Sequence, residues 1–274
     1  MPQAERRNNA MLLAVNVGNK NISFAVFDEI TEEPIAKFSV AADMRKTADE
    51  YAVTVSQLLA FSGIDGKAVD GAIMASVVPQ LNDVMRHVVL TLTGKTPISV
   101  GPGVKTGFAI KIDDPAELGA DIVANAAEVV GKLKEEKTDA PAIILDLGAV
   151  TTLFAIKNRE VIGGAILPGA IMSLDALHRE TAQLPNIEMS GSHRAIGKNT
   201  KESLISGVVF GQAAMIDGLV DRFEKEMKCE SGTCRLFATG ENCKPILGNL
   251  SHVFEYDPTL TLKGLARIYK NTTK

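Results

Sequence analysis

The sequence has no tryptophan, only three cysteines and four histidines, and 5% aromatic residues. An odd cysteine count, in a chain whose start carries no secretion signal, argues against a disulfide framework. Cys229, Cys234 and Cys243 are spaced C-x4-C-x8-C, with His252 as the one nearby fourth ligand. That spacing matches no common zinc site, so they read as buried or idle thiols. The only early apolar run, Met11 to Val15, is too short for a signal-peptide core or a membrane span, although Arg6 and Arg7 precede it. A cytoplasmic protein without a membrane partner is expected. There is no excess of positive charge either: the formal net charge is −4 and the lysines are scattered, which leaves no basic footprint for DNA or RNA. Residues 1–10 are polar and are expected to form a flexible extension.

At 274 residues and 46% hydrophobic, the chain can bury a large core, at a size where single cores usually split in two. Two stretches organise it. Residues 12–28 read as two apolar, β-branched strands joined by a polar turn of Gly18, Asn19 and Lys20. A second hairpin at 143–156 overlays the first at an offset of 130 residues, with Asn16 over Asp146, Gly18 over Gly148 and Phe24-Ala25 over Phe154-Ala155. A glycine at such a turn lets backbone N–H groups approach a ligand, and a polar residue just before it can reach a metal or its waters. Two related halves holding a phosphate between them follow from that echo.

The remaining elements are placed by periodicity. Strands are expected at 34–40, 71–78, 97–100, 160–167, 235–239 and 252–256, and helices at 47–61, 81–92, 169–178, 200–228 and 260–269. The first half thus reads β-β-β-α-β-α-β, and the second repeats the plan. Asp114, Pro115 and Glu117 have the arrangement of a capping box, so a helix is expected to begin there. Along that helix Leu118, Ile122, Val129 and Leu133 form the apolar stripe, which turns Asp121, Asn125, Glu128 and Lys132 away from the core. Asn199 and Glu202 form a second capping box at the start of the long helix, on which Gly207, Gly211 and Gly218 mark a close contact.

With these elements lined up, the chain resembles the type III pantothenate kinases of the acetate and sugar kinase, heat-shock cognate and actin superfamily. The resemblance runs from Met11 to about Asn271. It rests on N-V-G-N-K-N at 16–21, S-V-V-P at 76–79, G-P-G-V-K-T-G at 101–107, G-A-D at 119–121, D-L-G-A-V-T-T at 146–152, G-G-A-I-L-P-G at 163–169, I-G-K-N-T at 196–200 and D-P-T-L-T-L-K-G-L at 257–265. The resemblance implies an α/β fold of two related ribonuclease H-like domains, each a β-β-β-α-β-α repeat, in the actin-like ATPase arrangement with a nucleotide cleft between them. The boundaries are expected at 11–116 and 117–274.

It also implies ATP-dependent phosphorylation of pantothenate to 4'-phosphopantothenate, the first step of coenzyme A biosynthesis, with ATP, Mg2+ and a monovalent cation (K+ or NH4+). On that resemblance Asn16, Gly18, Asn19, Lys20 and Asn21 hold the ATP phosphates, and Gly148, Ala149 and Gly240 also face the nucleotide. Gly119, Ala120, Asp121 and Ile122 line the pantothenate pocket, with Asp121 as catalytic proton acceptor and Thr200 reaching the substrate. Asp146 binds the monovalent cation. A homodimer is implied, with the substrate pocket near the subunit interface.

The chain departs from the family pattern at five positions near ligands. D-x-G-N-T or D-x-G-N-S becomes Asn16 to Lys20, replacing a carboxylate and a hydroxyl. G-A-D-R ends in Ile122, which cannot pair with pantothenate's carboxylate. Ala149 stands for a threonine and Glu241 for a glycine. A second reading therefore stands beside the first: a catalytically impaired paralogue that binds nucleotide or a protein partner in regulation.

Overall fold

The computed structural model describes residues 10–28, 33–189, 194–230, 232–241 and 244–274. Cys243 and all but the last residue of the expected extension lie outside the described residues. The chain divides into two compact units.

The first unit opens with strands β1 (Met11–Val17), β2 (Asn21–Asp28) and β3 (Ala36–Ala41), followed by helix α1 (Ala48–Phe61), β4 (Val69–Ser76), α2 (Asn82–Thr93) and the short β5 (Ile98–Ser99). The sheet order is β3-β2-β1-β4-β5, antiparallel across β1/β2 and β2/β3 and parallel across β1/β4 and β4/β5. One face is filled by Leu13, Val15, Val17, Ile22, Phe24 and Val26 against Tyr51, Val55 and Leu59 of α1 and Met85, Val88 and Val89 of α2. Each such side chain removed from water contributes about 1.5–3 kcal/mol, which is why the alternating pattern commits the register. Thr47 and Glu50 close a capping box at the start of α1.

After β6 (Ala109–Ile110) comes α3 (Ala120–Glu135), then β7 (Ala142–Leu147), β8 (Val150–Lys157), β9 (Glu160–Pro168), α4 (Ala170–Arg179), the long α5 (Thr200–Glu226), β10 (Arg235–Thr239), the single-turn α6 (Lys244–Leu247), β11 (Glu255–Tyr256) and α7 (Leu260–Thr273). The second sheet runs β11-β10-β7-β8-β9-β6. Without β6, which the periodicity reading missed, it repeats the strand order and directions of the first sheet. Helix α5 is long and apolar enough, by composition, to cross a membrane, but half of that stretch is buried. Its Leu204, Val208, Ile216 and Val220 pack in one core with Ile143 and Leu145 of β7.

The overlay of the two hairpins needs one correction. β2 and β8 carry the same burial pattern from first residue to last. Their turns differ, with residues 18–20 in one and 148–149 in the other. Asn16 pairs with Ser23 and Asp146 with Thr152, so Phe24 corresponds to Leu153 and Ala25 to Phe154. A one-residue deletion at the tip leaves strand pairing intact but shifts every later equivalence by one.

The helix expected from Asp114 is also corrected. Asp114 accepts from the Ala116 N–H at 2.9 Å, but the turn it starts covers only Pro115–Glu117 and is 3-10 in form. Leu118 returns to extended backbone, and the Gly119 carbonyl accepts the first α3 bond from Val123 at 3.0 Å. The polar face of α3 is not solvated either. Asn125 is 1% and Glu128 6% exposed, because α7 covers them. Thr261 donates to Asn125 Oδ1 at 2.7 Å, and Arg267 forks onto Glu128 at 2.9 and 3.3 Å. Between these contacts Gly264 brings the two helices to backbone contact, since a Cβ there would lie 1.8 Å from the Ala124 carbonyl oxygen. The compact units differ accordingly from the expected boundary at 116/117: residues 114–131 and 259–274 both belong to the first unit.

Candidate active site

Asn16 sits one residue before the end of β1, between Ser23 on β2 and Ala75 on β4. Its Oδ1 is buried and has no hydrogen-bond partner among the described residues. A buried acceptor left in that state calls for a water, an ion or a ligand. The following tip is held by the Gly18 N–H donating to the Asn21 carbonyl at 3.0 Å and by the Ala42 N–H donating to the Lys20 carbonyl at 2.8 Å. The side chains of Asn19 and Lys20 project into solvent.

Gly119, Ala120 and Asp121 form the start of α3 in the same unit, all three half-buried. Because the helix starts at Ala120, Asp121 lies in its first turn, where the backbone N–H groups favour a negative charge. One carboxylate oxygen accepts from the Ile122 N–H at 2.8 Å. Burial nevertheless pushes the Asp121 carboxyl above its ordinary range, the Ile122 and Asp121 backbone N–H groups opposing it only in part. A carboxylate raised in this way is a better proton acceptor than a solvated one. Ile122 is 9% exposed and belongs to the core.

In the second unit Asp146 stands where Asn16 stands in the first, next to Thr152 on β8 and Thr239 on β10. Gly240, which follows β10, has φ +116° and lies on the backbone of Leu147, where a Cβ would be 2.5 Å from the carbonyl oxygen. Only glycine satisfies both conditions. Asp146, the Gly148-Ala149 tip and Gly240 are thereby brought to one end of the sheet. Thr200, the exposed first residue of α5, makes no contact with them in the hydrogen-bond pattern; Asn199 caps its helix by accepting from the Glu202 N–H at 2.9 Å. Glu202 closes back onto the Lys198 N–H at 2.9 Å, one residue earlier than in the expected box.

Three supporting groups escaped the sequence reading. Tyr256 donates its hydroxyl to the Gly240 carbonyl at 2.9 Å, and Thr261 and Arg267 anchor the helix that carries Asp121. Thr261 falls inside the D-P-T-L-T-L-K-G-L stretch, so a signal was present. Arg267 had none beyond its place on an amphipathic helix.

The donor set fits a nucleotide with its metal better than a metal alone. Among the described residues no group of three or more His, Cys, Asp or Glu side chains could hold an ion. Mg2+ is ordinarily held by one or two carboxylates together with substrate phosphates, so a nucleotide would bring most of its ligands with it.

Two α/β units of one strand order, each closing its first hairpin with a glycine-bearing tip, define the actin-like ATPase fold. Component A of (R)-2-hydroxyglutaryl-CoA dehydratase from Acidaminococcus fermentans shares the fold, with a TM-score of 0.54 at 13% identity over 97% of this chain and 100% of that one. Within that class the chain belongs to the type III pantothenate kinase family, whose model matches residues 12–222. It is 38% identical to the type III pantothenate kinase of Moorella thermoacetica over 96% of this chain and 100% of that one. It is also 38% identical to that of Streptomyces griseus over 95% and 98% of the two chains.

Proposed function

We propose that the chain transfers the terminal phosphoryl group of ATP to the hydroxyl of pantothenate, giving 4'-phosphopantothenate and ADP and opening coenzyme A biosynthesis. The observation that carries this reading is Asp121: a half-buried carboxylate with raised proton affinity, fixed in the first turn of a helix. The pantothenate oxygen bonds to the γ-phosphorus as the bond to the ADP oxygen breaks, and the hydroxyl proton passes to Asp121. In a loose transition state that transfer comes late, so positioning and charge neutralisation do most of the work. In the first unit the backbone N–H groups of Asn19 and Lys20, with the Asn19 and Asn21 side chains, suit phosphate oxygens, and in the second unit those of the tip at 148–149 do the same. Mg2+ bound with the nucleotide would neutralise phosphate charge, and a monovalent cation, K+ or NH4+, would be held by Asp146. Gly119, Ala120 and Thr200 would contact pantothenate.

A homodimer belongs to the same proposal. The sequence marks Gly207, Gly211 and Gly218 for close approach, yet a Cβ at any of them would meet open space, so nothing among the described residues packs against them. A second copy packed along α5 would use them.

One observation favours the alternative of an impaired paralogue. Ile122 is a buried core residue where the family pattern has arginine, and Asn16 offers an amide where that pattern has a carboxylate. The assay that decides is ADP release by purified protein with ATP, pantothenate, Mg2+ and K+ or NH4+. Pantothenate-dependent turnover is expected, slower than the roughly 1–100 per second usual for kinases. Asp121→Asn is expected to lower it by a factor of about 10²–10⁴. ATP binding without pantothenate-dependent ADP release would establish the impaired paralogue instead.

A further inference from the structure

The loop that leaves β3 runs against the first hairpin tip, because Ala42 donates its N–H to the Lys20 carbonyl at 2.8 Å. The residues that follow hold in place a side chain that is itself 91% exposed, that of Arg45. Tyr51 of α1 is fully buried, and its hydroxyl accepts from the Asp43 N–H at 2.7 Å while lying 3.0 Å from the Asp43 carbonyl oxygen and 3.3 Å from that of Ala41. Asp43 is thus pinned through its backbone to the core. Its carboxylate receives the Arg45 guanidinium as a fork, Nε and Nη2 each at 3.0 Å, and the Arg45 backbone N–H at 3.0 Å as well. This pairing drives the Asp43 carboxyl down to about 2. Lys46 lies 5.6 Å above the Tyr51 ring.

An exposed ion pair adds little to stability, so folding does not explain this construction. It holds a guanidinium in one orientation three residues along from Ala42, whose N–H bonds the tip at 18–20. Arg45 and Lys46 balance Asp43 and Glu50 here, and Lys20 on the tip adds one positive charge. A guanidinium fork that matches a carboxylate matches two phosphate oxygens equally well, and exchanges one for the other without reordering its own side chain.

We propose that Arg45 is a nucleotide-phosphate ligand, which Asp43 keeps poised and which transfers its fork to the phosphate oxygens of a nucleoside triphosphate seated at the 18–20 tip. The inference rests on the phosphotransferase reading and adds a residue to it. With an amide at position 16, the phosphate charge on this side has to be met by cations, and Arg45 is the one the core holds in position.

The test is ATP affinity by calorimetry for wild type, Arg45→Ala, Arg45→Lys and the control Arg86→Ala, which removes an equal charge from an exposed arginine on α2 paired only locally with Asp83. Losing a charge-assisted fork is expected to weaken ATP binding tenfold or more. Lysine should recover only part of the loss, and the control should stay within about twofold of wild type. A loss below tenfold in Arg45→Ala, or an equal loss in Arg86→Ala, overturns the assignment. Failure of the wild type to bind ATP overturns the phosphotransferase reading itself, whatever the variants do. Arg45 touches nothing in the core, so unchanged melting temperatures are expected, and a melt lowered in Arg45→Ala would make it a structural residue instead.

Discussion

Replacing Arg267 by methionine would leave a buried carboxylate with its partner gone. Glu128 has 7% of its side chain exposed and Arg267 26%, and the two are joined by a fork at 2.9 and 3.3 Å under the helix that carries Asp121. Methionine keeps most of the packing volume of the arginine stem, so the change isolates the charge. Breaking a buried pair from one side costs about 3–5 kcal/mol, because the remaining ion is uncompensated. The quarter exposure of Arg267 lets water reach the vacated position and points to about 3 kcal/mol. For a chain of this size about 1 kcal/mol moves the melting temperature by about 2–4 °C, so a fall of roughly 6–12 °C is expected in the transition that contains this unit. Glu128→Gln should cost less, since the arginine it strands is the better solvated partner. Combining the two should recover part of the loss, a coupling of about 1–3 kcal/mol. Scanning calorimetry is the assay, because two compact units need not melt together. A shift below about 2 °C for Arg267→Met, or a larger cost for Glu128→Gln, would refute the reasoning.

Three further outcomes are expected. Asp121 has its pKa raised by burial, so its contribution to stability is present below its unfolded value and lost as pH rises through the folded one. At neutral pH Asp121→Asn should therefore raise the melting temperature while lowering turnover, and the acid limb of the wild-type rate profile should lie above the ordinary aspartate range; a destabilised variant would contradict this. Asn16→Asp with Ile122→Arg should raise pantothenate-dependent turnover more than either change alone, as measured by coupled assay, because one restores a metal-facing carboxylate and the other an anion partner; a double variant no faster than the better single one would count against it. Burial and the neighbouring Cys229 push the Cys234 thiol up to about 12. Its thiolate fraction at pH 8 is then about 10⁻⁴, and peptide mapping after brief alkylation should find Cys229 modified and Cys234 intact.

Much of the fold was legible because its signals are local. The apolar runs of β2 and β8, the Asn199 cap, and the order of most strands and helices all depend on neighbours a few residues apart, and the structure keeps them. The 130-residue echo was legible as a duplication but not in detail. A one-residue difference at a turn leaves hydrophobic periodicity unchanged on both sides, and only strand pairing shows that Phe24 matches Leu153.

What residue order alone determined, then, is which segments become strands and helices and which polar residues stand at their ends: Asn16, Asp121, Asp146, Gly240. The environments of those residues were decided by tertiary structure. Asp114, Pro115 and Glu117 carry equally good signals for a 3-10 turn and for an α-helix, and the burial of Leu118 selects the former and moves the helix start to Ala120. The stripe of Asn125 and Glu128 looks solvated from within its own helix, and becomes buried because α7 supplies Thr261 and Arg267, 136 and 139 residues later, to satisfy it. Arg45 looks like a surface charge until Tyr51 and Asp43 are seen to hold it. The burial of Asn125 and Glu128 depends on partners distant in sequence and the fixing of Arg45 on a core contact of its neighbour, and a polar group's burial, pKa and orientation are set by its partner.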